Sequence, residues 1–291
     1  MSTPPAIESP EAADLLRLFR TSRVAKRKLR ELTAITGSTG GQRCLCIGGE
    51  PGVIPAALST KGDWTFGVLR PGSEEMMRQF VPGRTVRVID PALPLDFEDS
   101  TFDTVVLVDV LERVADDHAL TQECHRVLRE KGYLVVTATH DKRGLLAPLQ
   151  KLAGMGSGRS ELVRPGYTQR SLYELLKDGY DITESHLYSK FWEQLGELIQ
   201  QVAAGLFAGR GPDAADGTDH VRRAASVRAV AGVLTLPLVL CEVLFGWGKG
   251  YQITARARAR IWKERREVKI RDGRSIAEAT IRTKIGTAAE F

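Results

Sequence analysis

Glycines and carboxylates follow several short apolar runs of this sequence, at positions where a sheet protein gathers ligand-binding groups. The first run ends in the turn Gly48-Gly49-Glu50-Pro51-Gly52, and two later runs end at Asp90-Pro91 and at Asp109. A glycine-rich turn before a helix lets the backbone approach a ligand and directs N–H groups at it. The same glycines also suit a tight strand-to-helix connection. The turn alone therefore leaves a binding role and a purely structural role open.

These groups can act together only if the strands that carry them end at one edge of a sheet. The hydropathy pattern predicts strands at 43–48, 64–69, 84–90, 102–110 and 132–140 and a helix at 115–130, followed by a helix from Thr168 and a strand near 181–189. Such alternation is typical of a parallel sheet covered by helices on both faces. In open α/β sheets, ligands bind beyond the carboxyl ends of the strands, where the strand order reverses.

Helical segments of another character lie on both sides of this alternation. Residues 15–32 have the spacing of one amphipathic helix, and 191–207 predicts a long helix. An exposed loop is expected at 209–220, a mostly apolar helix broken near Pro237 at 221–246, and a last strand within 250–258. We divide the chain into a basic N-terminal helical segment (1–36), a main domain (37–262) with a helical insertion (190–248), and a charged tail (263–291).

The positive charge is concentrated near the two ends of the sequence. The net charge is +5, but residues 255–274 contain nine Lys and Arg against three Asp and Glu, and residues 17–30 contain seven Lys and Arg and no acid. Basic segments of this kind predict contact with an anionic membrane surface. Nucleic acid is not expected as a partner, because the C-terminal basic segment has Trp262 as its single aromatic residue for base stacking.

The cysteines and the apolar segments predict a cytoplasmic protein with peripheral membrane association. The four cysteines lack the paired spacing of a zinc site, no other His, Cys or Asp cluster indicates a metal, and the N-terminal residues lack the pattern of a secretion signal. Residues 229–248 are nearly long enough to span a bilayer, but Pro237 and Glu242 interrupt them. We therefore expect reduced thiols and no membrane span.

Five further segments form a specific combination of motifs. They are Asp90-Pro91-Ala92, 95–103 (LDFEDSTFD), 108–114 (VDVLERV), 123–136 (ECHRVLREKGYLVV) and 164–168 (RPGYT). In this order, over residues 40–190, they resemble the class I S-adenosylmethionine-dependent methyltransferases. The resemblance implies a Rossmann-like, doubly wound, seven-stranded, mostly parallel sheet with an apolar helical insertion before the last strand, and S-adenosylmethionine as the cofactor.

The resemblance also implies which residues contact the cofactor, and two positions depart from the family pattern. Glu50 replaces the central glycine of the first turn, so its carboxylate either repels the methionine carboxylate of the cofactor or pairs with its ammonium group. Leu69-Arg70 stands where the family has an acid for the ribose. Asp90 matches the acid that accepts a hydrogen bond from adenine, and its alternative role is to cap a turn. The implied cofactor-binding residues are Gly48, Gly49, Glu50, Gly52, Leu69, Arg70, Asp90 and Pro91.

Methyl transfer needs an acceptor held in line with the methyl group, and a base only where the acceptor must lose a proton. Asp109 and His140 end predicted strands beside the expected transfer centre and are the candidate catalytic residues. Their alternative roles are a turn-capping Asp109 and an exposed His140. The family often has Leu-Glu-His where this chain has Leu111-Glu112-Arg113, and an arginine is no base at neutral pH. Arg113 and Tyr167 are the candidate residues for binding the acceptor.

Two functions are consistent with these features. The first is methyl transfer from S-adenosylmethionine to a hydroxyl or carboxyl group of a small or lipid-like acceptor, with the apolar insertion forming the acceptor pocket. The second is a catalytically silent protein that uses the methyltransferase fold as a binding or membrane-associated module. Glu50, Leu69 and Arg113 favour the second.

Overall fold

The computed structural model of the chain describes residues 9–92, 94–140, 162–207, 217–238, 241 and 250–262. Its strands are β1 (Arg43–Gly48), β2 (Asp63–Val68), β3 (Thr85–Val88), β4 (Phe102–Val108), β5 (Leu128–Thr139), β6 (Tyr180–Tyr188) and β7 (Gln252–Ala259). Its helices are α1 (Pro10–Thr21), α2 (Arg23–Thr36), α3 (Val53–Leu58), α4 (Ser73–Phe80), α5 (Asp117–Val127), α6 (Gln169–Leu176), α7 (Phe191–Phe207) and α8 (Gly217–Leu234).

The strands form one seven-stranded sheet in the order β3-β2-β1-β4-β5-β7-β6. Strands β1 to β5 pair in parallel, whereas β7 is antiparallel to both β5 and β6. This confirms the expected Rossmann-like, mostly parallel sheet. The strand order reverses between β1 and β4, so the carboxyl ends of these two strands flank the crevice in which such sheets bind ligands.

The buried side chains of successive strand residues enter two different apolar clusters. In β1, Leu45 and Ile47 belong to a cluster on one face of the sheet, while Cys44 and Cys46 belong to a cluster on the other face. The period of two along a strand places alternate residues on opposite faces. Since both faces are covered, the edge formed by the strand ends is where polar groups of the sheet can meet a ligand.

The N-terminal segment is two helices, so the expectation of one helix over 15–32 is wrong. Ser22 interrupts the helical pattern with an extended backbone, and its hydroxyl accepts a hydrogen bond from the N–H of Ala25 at 3.1 Å. A serine in this position is a favourable N-cap, so it starts α2 in a new direction.

Two segments far apart in the sequence pack together as a helical cap, a name we use for α1, α2, α7 and α8. Helix α1 packs on α8, α2 packs on α7, and α7 packs on α8. The Ser22 hydroxyl donates to Glu197 Oε2 at 2.9 Å, Arg23 donates to the Gly232 carbonyl at 2.7 Å, and Arg27 pairs with Glu193 at 3.2 Å. The basic N-terminal segment is therefore bound to the insertion, although the sequence pattern separated the two.

Several expectations for the insertion and the tail concern residues that lie partly or wholly outside the described part of the chain. The exposed loop expected at 209–220 is helical from Gly217 onward, while 208–216 lie outside the described residues. Helix α8 ends at Leu234, three residues before Pro237. Residues 239–240, 242–249 and the tail from 263 onward also lie outside them. In the part of the chain that is described, no helix is long and apolar enough to cross a membrane.

Candidate active site

The turn after β1 has a backbone that only glycine adopts without strain. Gly48, Gly49 and Gly52 have φ values of 82°, 72° and 124°, in the region that disfavours other L-residues. A Cβ on Gly48 would lie 2.5 Å from the carbonyl oxygen of Val108, at the end of β4. The turn therefore touches the β4 backbone directly, and the Gly49 N–H donates to the same Val108 carbonyl at 3.1 Å.

The Glu50 carboxylate reaches across to the end of β2. Its Oε1 accepts hydrogen bonds from the backbone N–H groups of Leu69 at 2.9 Å and Arg70 at 3.4 Å, and its Oε2 lies 4.0 Å from Arg70 Nε. The family resemblance placed an acid at the end of β2, where this sequence has Leu69-Arg70. A carboxylate lies at that strand end after all, because the neighbouring β1 turn supplies it.

Asp90 follows β3 and is exposed, and it makes the turn-capping contact. Its Oδ1 accepts a hydrogen bond from the N–H of Ala92 at 2.9 Å, across Pro91. An aspartate in such a turn uses one carboxylate oxygen for the backbone and leaves acceptor capacity on the other. The capping role is therefore present, and it is compatible with a ligand contact.

Asp109 lies at the carboxyl end of β4 with a positive φ of 54° and is ion-paired. Its Oδ2 lies 2.5 Å from the Nζ of Lys28, on α2, and its Oδ1 accepts a hydrogen bond from the Thr137 hydroxyl at 3.1 Å. Burial alone lowers the pKa of Lys28, but Asp109 and the other acidic groups nearby outweigh burial and raise it. The Lys28 ammonium is therefore charged although it is buried.

Lys28 is a site residue that the sequence analysis missed, although a signal was present. Ala25, Lys28, Leu32 and Ile35 follow one another at spacings of three and four residues. That spacing puts Lys28 on the apolar stripe of its helix, where Leu32 and Ile35 are buried. A lysine on such a stripe needs an acidic partner inside the protein, and the sequence offers several acids without choosing among them.

Glu112 is a second missed residue, buried beside Asp109 with 1% of its surface exposed. Its Oε1 accepts a hydrogen bond from the Thr139 N–H at 2.5 Å, while its Oε2 has no hydrogen-bond partner among the described residues. Burial, and then the charge of Asp109, raise the pKa of Glu112. A carboxylate in this setting prefers a neighbouring cation.

His140 and Tyr167 lie side by side in the core. His140 is 8% exposed, so the alternative of an exposed histidine is wrong. Its backbone N–H donates to the Tyr251 carbonyl at 2.9 Å. The Tyr167 hydroxyl donates to Asp117 Oδ2 at 2.6 Å and accepts from Arg164 at 2.7 Å. Burial raises the pKa of Tyr167 to about 12. This hydroxyl is committed to contacts within the protein.

A small crevice over the ends of β1, β2 and β4 collects part of the predicted site. Its volume is about 40 Å³, and it is lined by Gly48, Gly49, Glu50, Leu69, Val108, Asp109 and Arg113. The predicted residues outside its walls are Gly52, Arg70, Asp90, Pro91, His140 and Tyr167. Among the described residues, no group of three His, Cys, Asp or Glu side chains is placed to hold a metal ion.

The pattern of a known domain family matches the part of the chain that builds this crevice. The family is described as a methyltransferase domain, and its pattern covers residues 47–136. Residues 47–136 are thus similar to a methyltransferase domain. An uncharacterized methyltransferase from Mycobacterium sp. strain KMS is 36% identical over 103 residues, which are 34% of this chain and 40% of that protein. The chain thus matches about two fifths of the length of the curated relatives.

Solved structures extend the likeness from the methyltransferase domain to most of the fold. A possible histamine N-methyltransferase from Thermotoga maritima aligns over 84% of this chain and 94% of its own with a TM-score of 0.52 and 15% identity. The 4+2 cyclase SpnF aligns over 80% of both chains with a TM-score of 0.52 and 19% identity. At these identities the likeness concerns the fold alone, and one of the two proteins is a cyclase, so the reaction depends on the site.

Proposed function

We propose that this chain transfers the methyl group of S-adenosylmethionine to a hydroxyl or carboxyl oxygen of a small or lipid-like acceptor. The observation that carries the proposal is the crevice between the ends of β1 and β4. There the Gly48-Gly49-Glu50 turn and Asp109 meet within a domain of the methyltransferase family. Gly48, Gly49, Glu50, Leu69 and Asp90 are the residues that would hold the cofactor.

The donors and acceptors at this edge fit such a cofactor chemically. S-adenosylmethionine, when bound, supplies an electrophilic methyl group whose bond to sulfur breaks with its electron pair left on sulfur. Its ammonium, ribose hydroxyl and adenine amino groups are hydrogen-bond donors, and Glu50, Asp90 and Asp109 offer carboxylate acceptors at the ends of neighbouring strands. The glycine backbone of the turn permits close approach.

The ion pair at Asp109 bears on which acceptor oxygen reacts. A carboxylate acceptor has no proton to lose, so it needs binding and alignment, and Arg113 lines the crevice where it could bind such a group. A hydroxyl acceptor must give up its proton to a base. Asp109 could serve as that base only after its bond with Lys28 is broken, and His140 is buried and does not line the crevice. The carboxylate acceptor is therefore the simpler of the two.

We predict that Asp90→Asn weakens S-adenosylmethionine binding about tenfold, the loss of roughly one hydrogen bond to a charged group. Asn keeps an oxygen for the Ala92 N–H, so the turn survives, while the second carboxylate oxygen is replaced by a donor. Isothermal titration calorimetry measures the affinity, and urea denaturation checks that stability is unchanged. Asp90→Ala, which also removes the cap, is the matched comparison and loses about 1 kcal/mol of stability as well.

Two outcomes of this experiment would contradict the proposal at different levels. Unchanged affinity in Asp90→Asn would remove Asp90 from the cofactor site. The absence of any heat or thermal shift with the unsubstituted protein at millimolar S-adenosylmethionine and S-adenosylhomocysteine would favour the silent binding module.

We also propose that the protein is cytoplasmic and binds anionic membrane surfaces through the helical cap. Large apolar side chains of the cap are exposed, namely Leu206, Val230, Val233 and Leu234, and so is Leu236, just after α8. Of the seven basic residues between 17 and 30, Arg17, Arg20, Lys26 and Arg30 are exposed, and Arg17 pairs with Asp14. The other three, Arg23, Arg27 and Lys28, are partly buried and bind partners within the protein. Apolar contact therefore supports this surface more than the basic charge does.

Sedimentation with phosphatidylserine vesicles tests the membrane proposal. We expect binding at low salt, and we expect Leu234→Glu to reduce it at least about fivefold because a charge enters the apolar surface. Val163→Glu, at a side chain exposed by 57% outside the cap, is the control and should bind like the unsubstituted protein. Equal binding by both variants, or no binding to anionic vesicles at low salt, would contradict the proposal.

A further inference from the structure

Two cavities share Gly49 and Glu50 as lining residues. One is the crevice of about 40 Å³ described above. The other has a volume of about 390 Å³ and is an open cavity lined by α1, α2, α3, α7 and the turn after β1. Its apolar wall consists of Leu15, Leu18, Phe19, Val24, Val53 and Ile54. Both cavities contact Gly49 and Glu50, so they are neighbours.

The Lys28–Asp109 ion pair stands between these cavities. Lys28 lines the large cavity, Asp109 lines the crevice, and their charged atoms are 2.5 Å apart. The Lys28 side chain is 13% exposed and the Asp109 side chain 32%. An ammonium group from the helical cap therefore reaches the end of β4, in the middle of the candidate cofactor site.

The crevice is too small for a nucleoside as long as this pair is closed. Pockets for ligands of that size have volumes of roughly 300–1,000 Å³, which the large cavity reaches and the crevice does not. Joining the two spaces requires Lys28 to leave Asp109. A ligand must then supply the positive charge that Asp109 loses, because a partly buried carboxylate left without its cation is costly.

The surroundings of Asp109 favour a cation there. Glu112 is buried next to it with one carboxylate oxygen that has no hydrogen-bond partner in the described part of the chain, and Glu50 lines the same crevice. Arg70 Nε lies 4.0 Å from Glu50 Oε2, and Arg113 also lines the crevice. The methionine end of S-adenosylmethionine carries two cationic groups, an ammonium and a sulfonium.

We propose that Asp109 and Glu112 form a cation subsite that Lys28 fills in this structure, and that the cationic methionine end of S-adenosylmethionine replaces Lys28 there. Lys28 is then a positioning residue, since it controls whether the crevice and the large cavity are joined. The inference rests on the proposed function and adds that the site selects a positively charged ligand group. It also predicts discrimination against the product, S-adenosylhomocysteine, which lacks the sulfonium charge.

The test is Lys28→Met, which keeps the length of the side chain and removes its charge. We expect this variant to bind S-adenosylmethionine roughly five- to tenfold more tightly than the unsubstituted protein, because the competing ammonium is gone. Binding of S-adenosylhomocysteine should improve less, so the ratio of the two affinities rises. Calorimetry with both compounds measures the ratio, and Lys28→Arg, which retains the cation, should restore the original ratio.

Lys26→Met is the matched control, because Lys26 is exposed on the same helix. It should change neither affinity. If Lys28→Met lowers the affinities for both compounds equally, or leaves both affinities unchanged, the ion pair only holds α2 in place and the inference is wrong. If neither compound binds to the unsubstituted protein or to Lys28→Met, the proposed function itself fails. If Lys28→Met does not fold, Asp109→Asn is the deciding variant. It should lower the affinity for S-adenosylmethionine more than the affinity for S-adenosylhomocysteine, and equal losses of affinity overturn the inference.

Discussion

Replacing Gly48 by Ala is expected to lower the free energy of unfolding by about 2–5 kcal/mol and to abolish S-adenosylmethionine binding. Part of the loss comes from the backbone, because a φ of 82° costs about 1–2 kcal/mol for a residue with a Cβ. The rest comes from overlap, since the new Cβ would lie 2.5 Å from both the Val108 carbonyl oxygen and Val110 Cγ2. To relieve it, the turn has to move away from β4, which takes the crevice apart.

Gly83→Ala is the control that separates these two contributions. Gly83 has a φ of 74°, and a Cβ there would meet nothing within 4 Å. We therefore expect it to lose only the backbone part, about 1 kcal/mol, and to bind the cofactor normally. Urea denaturation and calorimetry measure both quantities. Equal effects of the two substitutions would show that Gly48 matters for its backbone angle alone.

Replacing Arg126 by Met is expected to destabilise the protein by about 2–4 kcal/mol, because a charged hydrogen-bond network is lost. The guanidinium of Arg126, on α5, donates to the carbonyl oxygens of Leu95 and Phe97, both at 2.8 Å, and to Asp99 at 2.6 Å. It also pairs with Glu123 at 2.8 Å, and Glu123 accepts from the Leu95 N–H at 2.9 Å. This network fastens the connection between β3 and β4 to α5.

The pH dependence of this loss has a definite sign. Hydrogen bonds from Arg126, the largest influence, hold the pKa of Glu123 below its ordinary value of 4.5. A carboxyl group with a lowered pKa in the folded state stabilises the protein above its unfolded pKa, and this contribution disappears as the pH falls through the folded value. The difference between Arg126→Met and the unsubstituted protein should therefore shrink below about pH 4.

Arg129→Met is the matched control for Arg126→Met. Arg129 is 45% exposed and, among the described residues, makes one ion pair, with Asp103 at 2.7 Å. Exposed pairs of this kind contribute at most about 1 kcal/mol, so the control should lose little stability. Hydrogen exchange of residues 94–101 gives a second measurement and should accelerate in Arg126→Met only. Equal losses of stability in both variants would contradict the network.

The sequence predicted the central strands β1 and β4 well because they are short, buried and largely apolar. The prediction for β1 has the bounds found in the structure, and α7 was predicted over its observed range. The motif 123–136 was recognised by resemblance, and the structure gives the physical reason for part of it, since Glu123 and Arg126 bind the preceding connection.

The candidate site was harder to predict because its contacts join residues that no local pattern relates. The orientation of Glu50 depends on which strand lies beside β1, and the partner of Lys28 depends on how α2 docks. His140 was open to an exposed interpretation because the sequence does not show that β7 and its preceding residues cover it. The break at Ser22 had a local signal, a good N-cap residue, which the continuous apolar spacing concealed.

The helical cap also constrains how the chain is made. A ribosome synthesises α1 and α2 well before α7 and α8, against which they pack and which begin only after residue 190. The strands β1 to β5 can pair while α1 still lacks its packing against α8. We therefore expect β1 to β5 to pair before the cap assembles during biosynthesis, and α1 and α2 to complete their packing only after α7 and α8 have emerged.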